Sequence, residues 1–296
     1  MKKQWKKFRA AIFTWAVKQF YNALKGKPSA KVEKIGKKVG AFLYRIPSRR
    51  RVAEENLRIA FPHQMPGERE ELMKQVFEHF GVMTTDFLAG ANRSLEDLTE
   101  RSEIHGFEYV DQALAEGKGA LILTGHYGNW EIGARYMSLR GYKLSVVIRD
   151  ADQEGVNEIV NNLRQGPGTN VIPRGNAVRP ILEKLKANEV VAILCDQNSD
   201  EIFVPFFGRL AGTVLGPGII AARTGSPAIP CCCTHLGNGK YRMEFFPPLE
   251  PQEETVKGEG IMKAFNSWLE SKIREHPEQW LWFHDRWRSA RKRRLF

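Results

Sequence analysis

Apolar positions recur at helical spacing through the first third of the chain. Within residues 1–24 they follow one another at intervals of three or four, which predicts an amphipathic helix that ends at Gly26 and Pro28. The residues of this apolar stripe are Trp5, Phe8, Ile12 and Trp15. The same period predicts three more helices, over about 32–44, 52–59 and 68–89. The N-terminal third is therefore predicted to be mostly helical.

From about Gly119 the pattern changes to short, nearly continuous apolar runs bounded by turn residues. Such runs are typical of strands that are buried on both faces of a sheet. They cover residues 120–124, 144–148 and 190–194. Segments of helical period accompany them, over roughly 129–140, 153–165 and 177–187. Strands that alternate with helices predict βαβ units and a largely parallel sheet.

Two later apolar segments, 228–236 and 241–246, flank the turn sequence Gly237-Asn-Gly239 and predict a hairpin. A hairpin makes the sheet mixed. We therefore expect an α/β fold with a mixed, largely parallel sheet flanked by helices. Residues 51–296 are predicted to form this α/β domain, and residues 1–50 a basic, amphipathic helical extension.

The net charge of +11 is concentrated at the two ends of the chain. Residues 1–51 contain 16 Lys and Arg and one acidic residue, residues 285–296 contain six and one, and the intervening body is acidic. A nucleic-acid enzyme more often places basic charge around its site. Basic end segments beside an aromatic helix favour an anionic membrane as the partner, although an ordinary helix packed on the body is the alternative.

The sequence contains no run of 18 uninterrupted apolar residues, so a transmembrane helix is not expected. The apolar stretch at 10–17 also lacks a small-residue cleavage site after it, and we expect an unsecreted protein. Three of the four cysteines are consecutive, at 231–233. Successive strand residues point to opposite faces, so this run is predicted to be buried strand rather than a metal site.

Candidate chemistry is concentrated after the first predicted strand, in the sequence Gly125-His-Tyr-Gly-Asn-Trp-Glu131. His126 and Glu131 would lie about 140° apart on a continuous helix. They can meet only if His126 precedes the helix and Glu131 lies in its first turn. A carboxylate on one imidazole nitrogen would fix the tautomer, so we expect His126 to act as a general base that Glu131 orients.

This spacing alone has little specificity, because the seven histidines and 34 acidic residues predict about one match by chance. A second match occurs at His63 and Glu68. That pair follows no predicted strand and lies among Pro62, Pro66 and Gly67. We therefore predict that His63 is not catalytic.

The segment 125–131 resembles the His-x4-Asp/Glu block of the lysophospholipid acyltransferase superfamily, in the branch of the late acyltransferases of lipid A biosynthesis. Further blocks resemble this branch in the same order, so the resemblance extends over nearly all of the chain from about residue 50. These blocks are 56–62, Asp196-Gln197, 204–208, Gly212-Thr213, 216–230, 279–284 and 286–288.

The resemblance implies transfer of an acyl chain from a thioester donor, usually acyl carrier protein, to a hydroxyl of a membrane glycolipid. It implies neither a cofactor, a metal nor a covalent acyl-enzyme. It also places the enzyme on the cytoplasmic face of the bacterial inner membrane, as a peripheral or monotopic protein. By the same resemblance Asp196 joins the catalytic residues. It also adds one arginine after the second predicted strand, for which Arg149 and Arg164 are the two candidates. The other residues expected to bind substrate are Asn129 and Gln197.

Several alternatives stay open from the sequence. The acceptor could be another glycolipid, a phospholipid or an amino-acid lipid. A thioesterase would use His126 to activate water instead of an alcohol. A lipid-binding scaffold is a third class, against which the intact candidate groups argue. The apolar segments 204–208 and 216–222 could line an acyl-chain channel or simply form core.

Overall fold

The computed structural model describes residues 2–91, 93–148, 154–164 and 169–296. The helices are α1 Lys2–Leu24, α2 Ser29–Leu43, α3 Pro47–Ala60, α4 Pro66–Gly90, α5 Leu95–Glu100, α6 Phe107–Ala115, α7 Trp130–Leu139, α8 Glu154–Arg164, α9 Val178–Lys186, α10 Gly216–Thr224, α11 Glu259–Glu275 and α12 Arg288–Lys292. Two 3₁₀ turns cover Arg174–Asn176 and Pro277–Gln279. The strands are β1 Ser102–His105, β2 Ala120–Thr124, β3 Leu144–Ile148, β4 Thr169–Pro173, β5 Val190–Leu194, β6 Ile202–Phe206, β7 Arg209–Thr213, β8 Ala228–Gly237 and β9 Lys240–Phe245.

Seven strands form one sheet in the order β1-β9-β8-β2-β5-β3-β4. Every neighbouring pair is parallel except β8 and β9, which form an antiparallel hairpin. Strands β6 and β7 form a separate antiparallel pair. The predicted mixed, largely parallel α/β sheet is confirmed, and so is the hairpin around Gly237-Asn-Gly239.

The sequence pattern did not predict β1 or β4, and both lie at the edges of the sheet. Strand β1 has only four residues, which alternate between half-buried and exposed. Strand β4 has a single buried residue and ends at Pro173, a residue that edge strands tolerate. Edge strands bury fewer side chains than central ones, so they leave a weaker hydrophobic signal.

Helices cover both faces of the sheet, and the side chains of the central strands alternate between two cores. In β2, Leu121 and Leu123 belong to the core formed with α4, α9, α11 and the C-terminal tryptophans, whereas Ala120 and Ile122 face α6 and α7. Strand β5 alternates in the same way. This two-residue alternation explains why both strands read as continuous apolar runs.

Helix α2 packs closely against α4 because glycines lie at the contact. A Cβ atom at Gly40 would lie 2.2 Å from the carbonyl oxygen of Phe77, and one at Gly81 would lie 2.1 Å from that of Gly36. Only glycine therefore permits this spacing of the two backbones.

Helix α1 is divided between a buried end and an exposed apolar surface. Leu24 is buried, and α1 contacts α4 and α8. Ile12, Phe13 and Trp15 are 50%, 51% and 63% exposed. None of the described helices is both long enough and apolar enough to cross a bilayer. The predicted helix is confirmed, and part of its apolar stripe does not pack on the body.

Candidate active site

The parallel pairing of β2 with β5 brings His126 and Asp196 together. The register aligns Ala120 with Val190 and Thr124 with Leu194, so the two strands end at the same level. The Cys195 amide then donates to the Thr124 carbonyl at 2.9 Å and extends the pairing by one step. The next side chains after the paired ends meet at the carboxyl edge of the sheet, where open α/β sheets bind ligands.

Asp196 is a buried carboxylate surrounded by hydrogen-bond donors. Its Oδ1 lies 2.7 Å from His126 Nδ1, and its Oδ2 accepts from the His126 amide at 2.7 Å and from Trp280 Nε1 at 2.8 Å. Burial works to raise the pKa of Asp196, but the charge of His126 and these hydrogen bonds outweigh it and lower that pKa to about 2. Asp196 is therefore ionised at neutral pH.

The same contacts determine which nitrogen of His126 can take a proton. Because the ionised Asp196 can only accept, Nδ1 of His126 carries hydrogen, and Nε2 of the neutral ring keeps its lone pair. Gln197 Nε2 lies 3.4 Å from that nitrogen and can donate to it. Trp130 packs edge-on against the imidazole, with ring centroids 4.9 Å apart. The side chain of His126 is 19% exposed, so its Nε2 is available to a substrate in the cleft.

Backbone contacts hold the turn that presents His126. The Gly128 amide donates to the Gln279 carbonyl at 2.9 Å, and the Asn129 amide donates to the Cys233 carbonyl at 2.7 Å. Gly128 has a φ of +61°, and a Cβ atom there would lie 2.0 Å from the Cys233 oxygen. Glycine is therefore required at position 128 by both conformation and space.

Glu131 does not occupy the position that the sequence predicted for it. Both ring nitrogens of His126 have other described partners, and Glu131 forms an ion pair with Arg164 instead. Arg164 Nε lies 3.1 and 3.0 Å from the two carboxylate oxygens, and Arg164 Nη2 also donates to Oε1. The physical reason is the strand register, which turns Nδ1 of His126 toward β5 while Glu131 lies in the first turn of α7.

The Glu131–Arg164 pair is largely buried, at 10% and 22% side-chain exposure. Burial alone would lower the pKa of Arg164, but the bonds to Glu131 raise it above its ordinary value. Arg164 is therefore a fixed cation. It lines the same cleft as His126.

The remaining predicted binding residues have different positions. Gln197 lies beside His126, as described above. Asn129 is fully buried, and its Oδ1 accepts from the Ile132 amide at 3.3 Å, so it caps α7 rather than lining the cleft. Arg149 lies outside the described residues. At the second His-x4-Glu match, Glu68 accepts from the Met65 amide at 2.7 Å and caps α4.

Sequence reasoning gave no role to three residues that support the site. Trp280 donates to Asp196, His79 Nε2 donates to the Gly128 carbonyl at 3.3 Å, and His284 Nε2 accepts from the Asn198 amide at 3.0 Å. Trp280 and His284 belong to the block 279–284 that carried the family resemblance. His79 has no local signal, because its partner lies 49 residues away.

Two adjoining spaces open next to these residues. His126, Gln197 and His284 line a cleft of about 580 Å³. A cavity of about 90 Å³, lined mainly by apolar side chains, extends between the sheet and α7. The two share four lining residues, which are Trp130, Ile148, Arg164 and Leu194. An elongated ligand could therefore place an apolar chain in the cavity and a reacting group beside His126.

Within the described ranges, no group of three or more His, Cys, Asp or Glu side chains is arranged to hold a metal ion. Cys195 lies next to Asp196 but is 1% exposed. Burial, and then the charge of Asp196, raise the pKa of its thiol well above the ordinary value. Cys195 is therefore a poor nucleophile.

Comparisons with known proteins find similarity to acyltransferases. The model of the family described as bacterial lipid A biosynthesis acyltransferase matches residues 1–289. A lipid A biosynthesis acyltransferase of Haemophilus influenzae is 27% identical over 257 residues, which is 84% of this chain and 79% of the relative. The lipid A biosynthesis lauroyltransferase of Escherichia coli is 24% identical over 273 residues, 88% and 87% of the two chains. A phosphatidylinositol mannoside acyltransferase of Mycobacterium tuberculosis is 26% identical over 190 residues, 62% and 59% of the two chains.

Proposed function

Because the chain belongs to the bacterial lipid A biosynthesis acyltransferase family, we propose that it transfers a fatty acyl chain directly from acyl carrier protein to a hydroxyl of a lipid A precursor. In this proposal His126 is the general base, and Asp196 is the carboxylate that orients it. The observation that carries this proposal is the hydrogen bond of 2.7 Å between His126 Nδ1 and Asp196 Oδ1.

In the proposed reaction, Nε2 of His126 takes the proton of the acceptor hydroxyl as the oxygen attacks the thioester carbonyl carbon. Asp196 stabilises the imidazolium that forms, because it is ionised and fixed on Nδ1. When the tetrahedral intermediate collapses, the carbon–sulfur bond breaks and the leaving thiolate takes the proton from Nε2. The histidine returns to its neutral form, and the products are an ester and a thiol.

Arg164 is suited to the negative charge that develops on the carbonyl oxygen or to an anionic group of the substrate. Glu131 engages its Nε and Nη2, and no described residue accepts a hydrogen bond from its Nη1. A guanidinium anchored in this way is preorganised, so little reorganisation is needed during the reaction. We therefore assign Glu131 the role of positioning Arg164 rather than His126.

Direct transfer is favoured over an acyl-enzyme by the state of the nearest thiol. Cys195 lines the cleft but is buried, and its raised pKa keeps it protonated. A protonated, buried thiol cannot attack a thioester efficiently. The acceptor oxygen is thus the proposed nucleophile.

We assign the acyl chain to the apolar cavity between the sheet and α7. The wall includes Ala134 and Met137 from α7, Ile122 from β2 and Ala192 from β5. The residues that the cavity shares with the catalytic cleft would lie beside the thioester carbonyl. Of the two segments that could have lined an acyl channel, 216–222 borders the cleft at Gly216, Pro217 and Ile220, whereas Val204 and Phe206 are buried in the core.

Helix α1 would hold the enzyme against an anionic bilayer, on the cytoplasmic face of the inner membrane. Its exposed Ile12, Phe13 and Trp15 would enter the interface, and its lysines would pair with headgroups. The helix contacts α4 and α8, which supply Phe87 and Leu163 to the cavity wall. An acyl chain in this cavity would therefore lie close to the membrane surface.

Product analysis tests the proposed function. Purified enzyme is incubated with an acyl carrier protein thioester and a lipid A precursor, and the lipids are examined by mass spectrometry. One added acyl ester on the precursor is the expected result. Free fatty acid without an acylated lipid would identify a thioesterase and contradict the proposal.

A second acceptor class is a phosphatidylinositol mannoside, which the similarity to the mycobacterial relative favours. The same assay with this lipid in place of the lipid A precursor separates the two. We expect higher kcat/KM with the lipid A precursor. Acylation of the mannoside alone would keep the chemistry and change the acceptor.

A further inference from the structure

A second cleft of about 420 Å³ adjoins the catalytic one and is lined by charged groups. Four cations line it against two carboxylates, Asp200 and Glu201. The cations are Arg174, Arg288, Lys292 and Arg293. Arg174 and Glu201 also line the cleft that contains His126. The two clefts therefore adjoin each other.

The cations of this cleft form no ion pair with another described residue. Among the described residues, none of the ion pairs includes Arg174, Arg288 or Lys292, whereas the neighbouring Arg291 pairs with Asp285 and Glu55. Arg288 and Lys292 lie four residues apart on α12, a spacing at which like charges repel each other on a helix. A repulsive arrangement of this kind is stabilised by a bound anion.

The wall of the cleft is fixed to the catalytic loop. Asn198 Nδ2 donates to Ser289 Oγ at 2.9 Å, and the Ser289 amide donates back to Asn198 Oδ1 at 3.0 Å. The Asn198 amide also donates to His284 Nε2. Residues 196–199 thus carry Asp196 and Gln197 on one side and hold α12 on the other. An anion bound by α12 would have a defined position relative to His126.

From this arrangement we infer a phosphate-binding subsite, formed by Arg174, Arg288 and Lys292, that anchors a phosphate of one of the two substrates during acyl transfer. Arginine and lysine side chains from two elements can surround the oxygens of a phosphate with charge-assisted hydrogen bonds. Both proposed substrates offer such a group, since the donor thiol is carried on a phosphopantetheine arm and lipid A precursors carry phosphate monoesters. The inference rests on the proposed function for the identity of the substrate, but not for the binding of phosphate.

The first experiment measures binding without catalysis. Thermal unfolding is followed with inorganic phosphate and with potassium chloride of equal ionic strength, for the wild type, for Arg288→Glu/Lys292→Glu and for the control Lys186→Glu/Arg223→Glu. The control changes the net charge equally at two exposed positions outside both clefts. We expect phosphate to raise the Tm of the wild type and the control by about 2–4 °C, and that of the cleft variant by less than about 1 °C.

Equal responses of the two variants, or no response of the wild type beyond that to chloride, would overturn the subsite. Circular dichroism without phosphate checks that the cleft variant is folded. If its Tm without phosphate falls far below that of the wild type, Arg288→Gln/Lys292→Gln takes its place, and the same loss of the phosphate response is expected.

The second experiment identifies the source of the phosphate. The value of kcat/KM is measured with two acceptors, one that carries the phosphate monoester and one that lacks it. It is also measured with two donors, the acyl carrier protein thioester and an acyl pantetheine thioester that lacks phosphate. The kcat/KM of the cleft variant should be lower than that of the control by roughly tenfold or more, but only when the substrate that binds the subsite carries its phosphate. A loss that depends on the acceptor phosphate assigns the subsite to the acceptor, and one that depends on the donor phosphate assigns it to the donor.

An equal loss of kcat/KM in the cleft variant with every pair of substrates would overturn the role of the subsite in acyl transfer. Wild-type enzyme that acylates no lipid, but is still stabilised by phosphate through this cleft, would contradict the proposed function and leave the subsite standing.

Discussion

Three hydrogen-bond donors converge on the carboxylate of Asp196, and this determines what His126 can do. A neutral amide at position 196 would present an N–H group to at least one of these donors, so only a carboxylate satisfies them all. Since Asp196 fixes Nδ1, the proton acceptor of His126 is Nε2. At the scale of single residues, the proposed base and its orienting group therefore follow two different strands.

Replacing His126 by Ala should lower kcat by about 10²–10⁴-fold, because general base catalysis contributes a factor of this size and no other described side chain lies where Nε2 does. Steady-state transfer from acyl carrier protein thioester measures it. His63→Ala is the control and should retain nearly full activity, since His63 lies in the turn before α4. Similar losses in the two variants would show that His126 is not the base.

Glu131 and Arg164 should behave as one unit in a double-mutant cycle. Each of Glu131→Gln and Arg164→Gln is expected to lower kcat/KM by roughly tenfold or more, because each one breaks the same ion pair. The double variant should be no worse than the more damaged single variant. Losses that add would mean that Glu131 acts independently of Arg164, for example directly on His126.

At the scale of elements, the site lies where β2, β5 and the turn before α7 meet. Because β2 and β5 end at the same level, His126 and Asp196 lie within hydrogen-bond distance of each other. Helix α7 then starts at Trp130, so its residues face the catalytic cleft at the first turn and the apolar cavity further along. One helix therefore borders both the proposed reaction centre and the proposed acyl-chain cavity.

Enlarging a side chain of α7 that lines the cavity should change the preferred acyl length. Ala134→Leu adds three carbon atoms to the wall, so the enzyme should prefer a donor shorter by about two or more carbons. Competition between donors of different length, read by mass spectrometry of the product, measures the preference. Ala115→Leu, at the exposed end of α6, is the control. An unchanged length preference in Ala134→Leu would show that the acyl chain does not bind in this cavity.

At the scale of the whole molecule, we propose that the charge and the apolar surface of α1 attach the enzyme to a membrane. Each lysine or arginine near an anionic surface contributes about 1 kcal/mol at physiological salt, and six such residues lie within 2–18. Charge alone would leave the exposed Ile12, Phe13 and Trp15 in water. Lasting attachment is therefore expected to need both contributions.

Deleting residues 1–24 should release the enzyme from anionic vesicles and spare activity on an acceptor dispersed in detergent. Sedimentation with vesicles at two salt concentrations measures the binding. The triple substitution Ile12→Ser, Phe13→Ser and Trp15→Ser should also weaken it, while it keeps every positive charge of α1. A truncated chain that still sediments at high salt would assign the attachment to the body of the protein.

Buried histidines should make the whole fold less stable in mild acid. Burial lowers the pKa of His79 to about 3 and that of His284 to about 4, whereas both titrate near 6.5 when unfolded. Between pH 6.5 and about 4 the unfolded chain binds more protons than the folded one, so the free energy of unfolding falls as the pH falls. From pH 7 to 5 each histidine contributes a loss of roughly 2 kcal/mol.

Urea unfolding at pH 7 and pH 5 measures this dependence. His79→Gln should remove roughly 2 kcal/mol of it, because an amide can still donate to the Gly128 carbonyl but does not titrate. Asp86, whose pKa burial raises, works in the opposite direction, so the contribution of His79 is taken as the difference between the variant and the wild type. Equal stability of the wild type at the two pH values would contradict the assignment of neutral, buried histidines.

The central strands, the helices between them and the position of His126 were determined by the sequence itself, because continuous apolar runs and the glycines around His126 carry a local signal. Edge strands β1 and β4 carry little of it, and the sequence did not predict them. The partner of His126 depends on tertiary structure, since Asp196 is 70 residues away and meets His126 only through the register of β2 with β5. Glu131 is five residues from His126 along the chain, but the start of α7 turns it toward Arg164. Local spacing limits which groups can meet, and strand pairing decides which of them do.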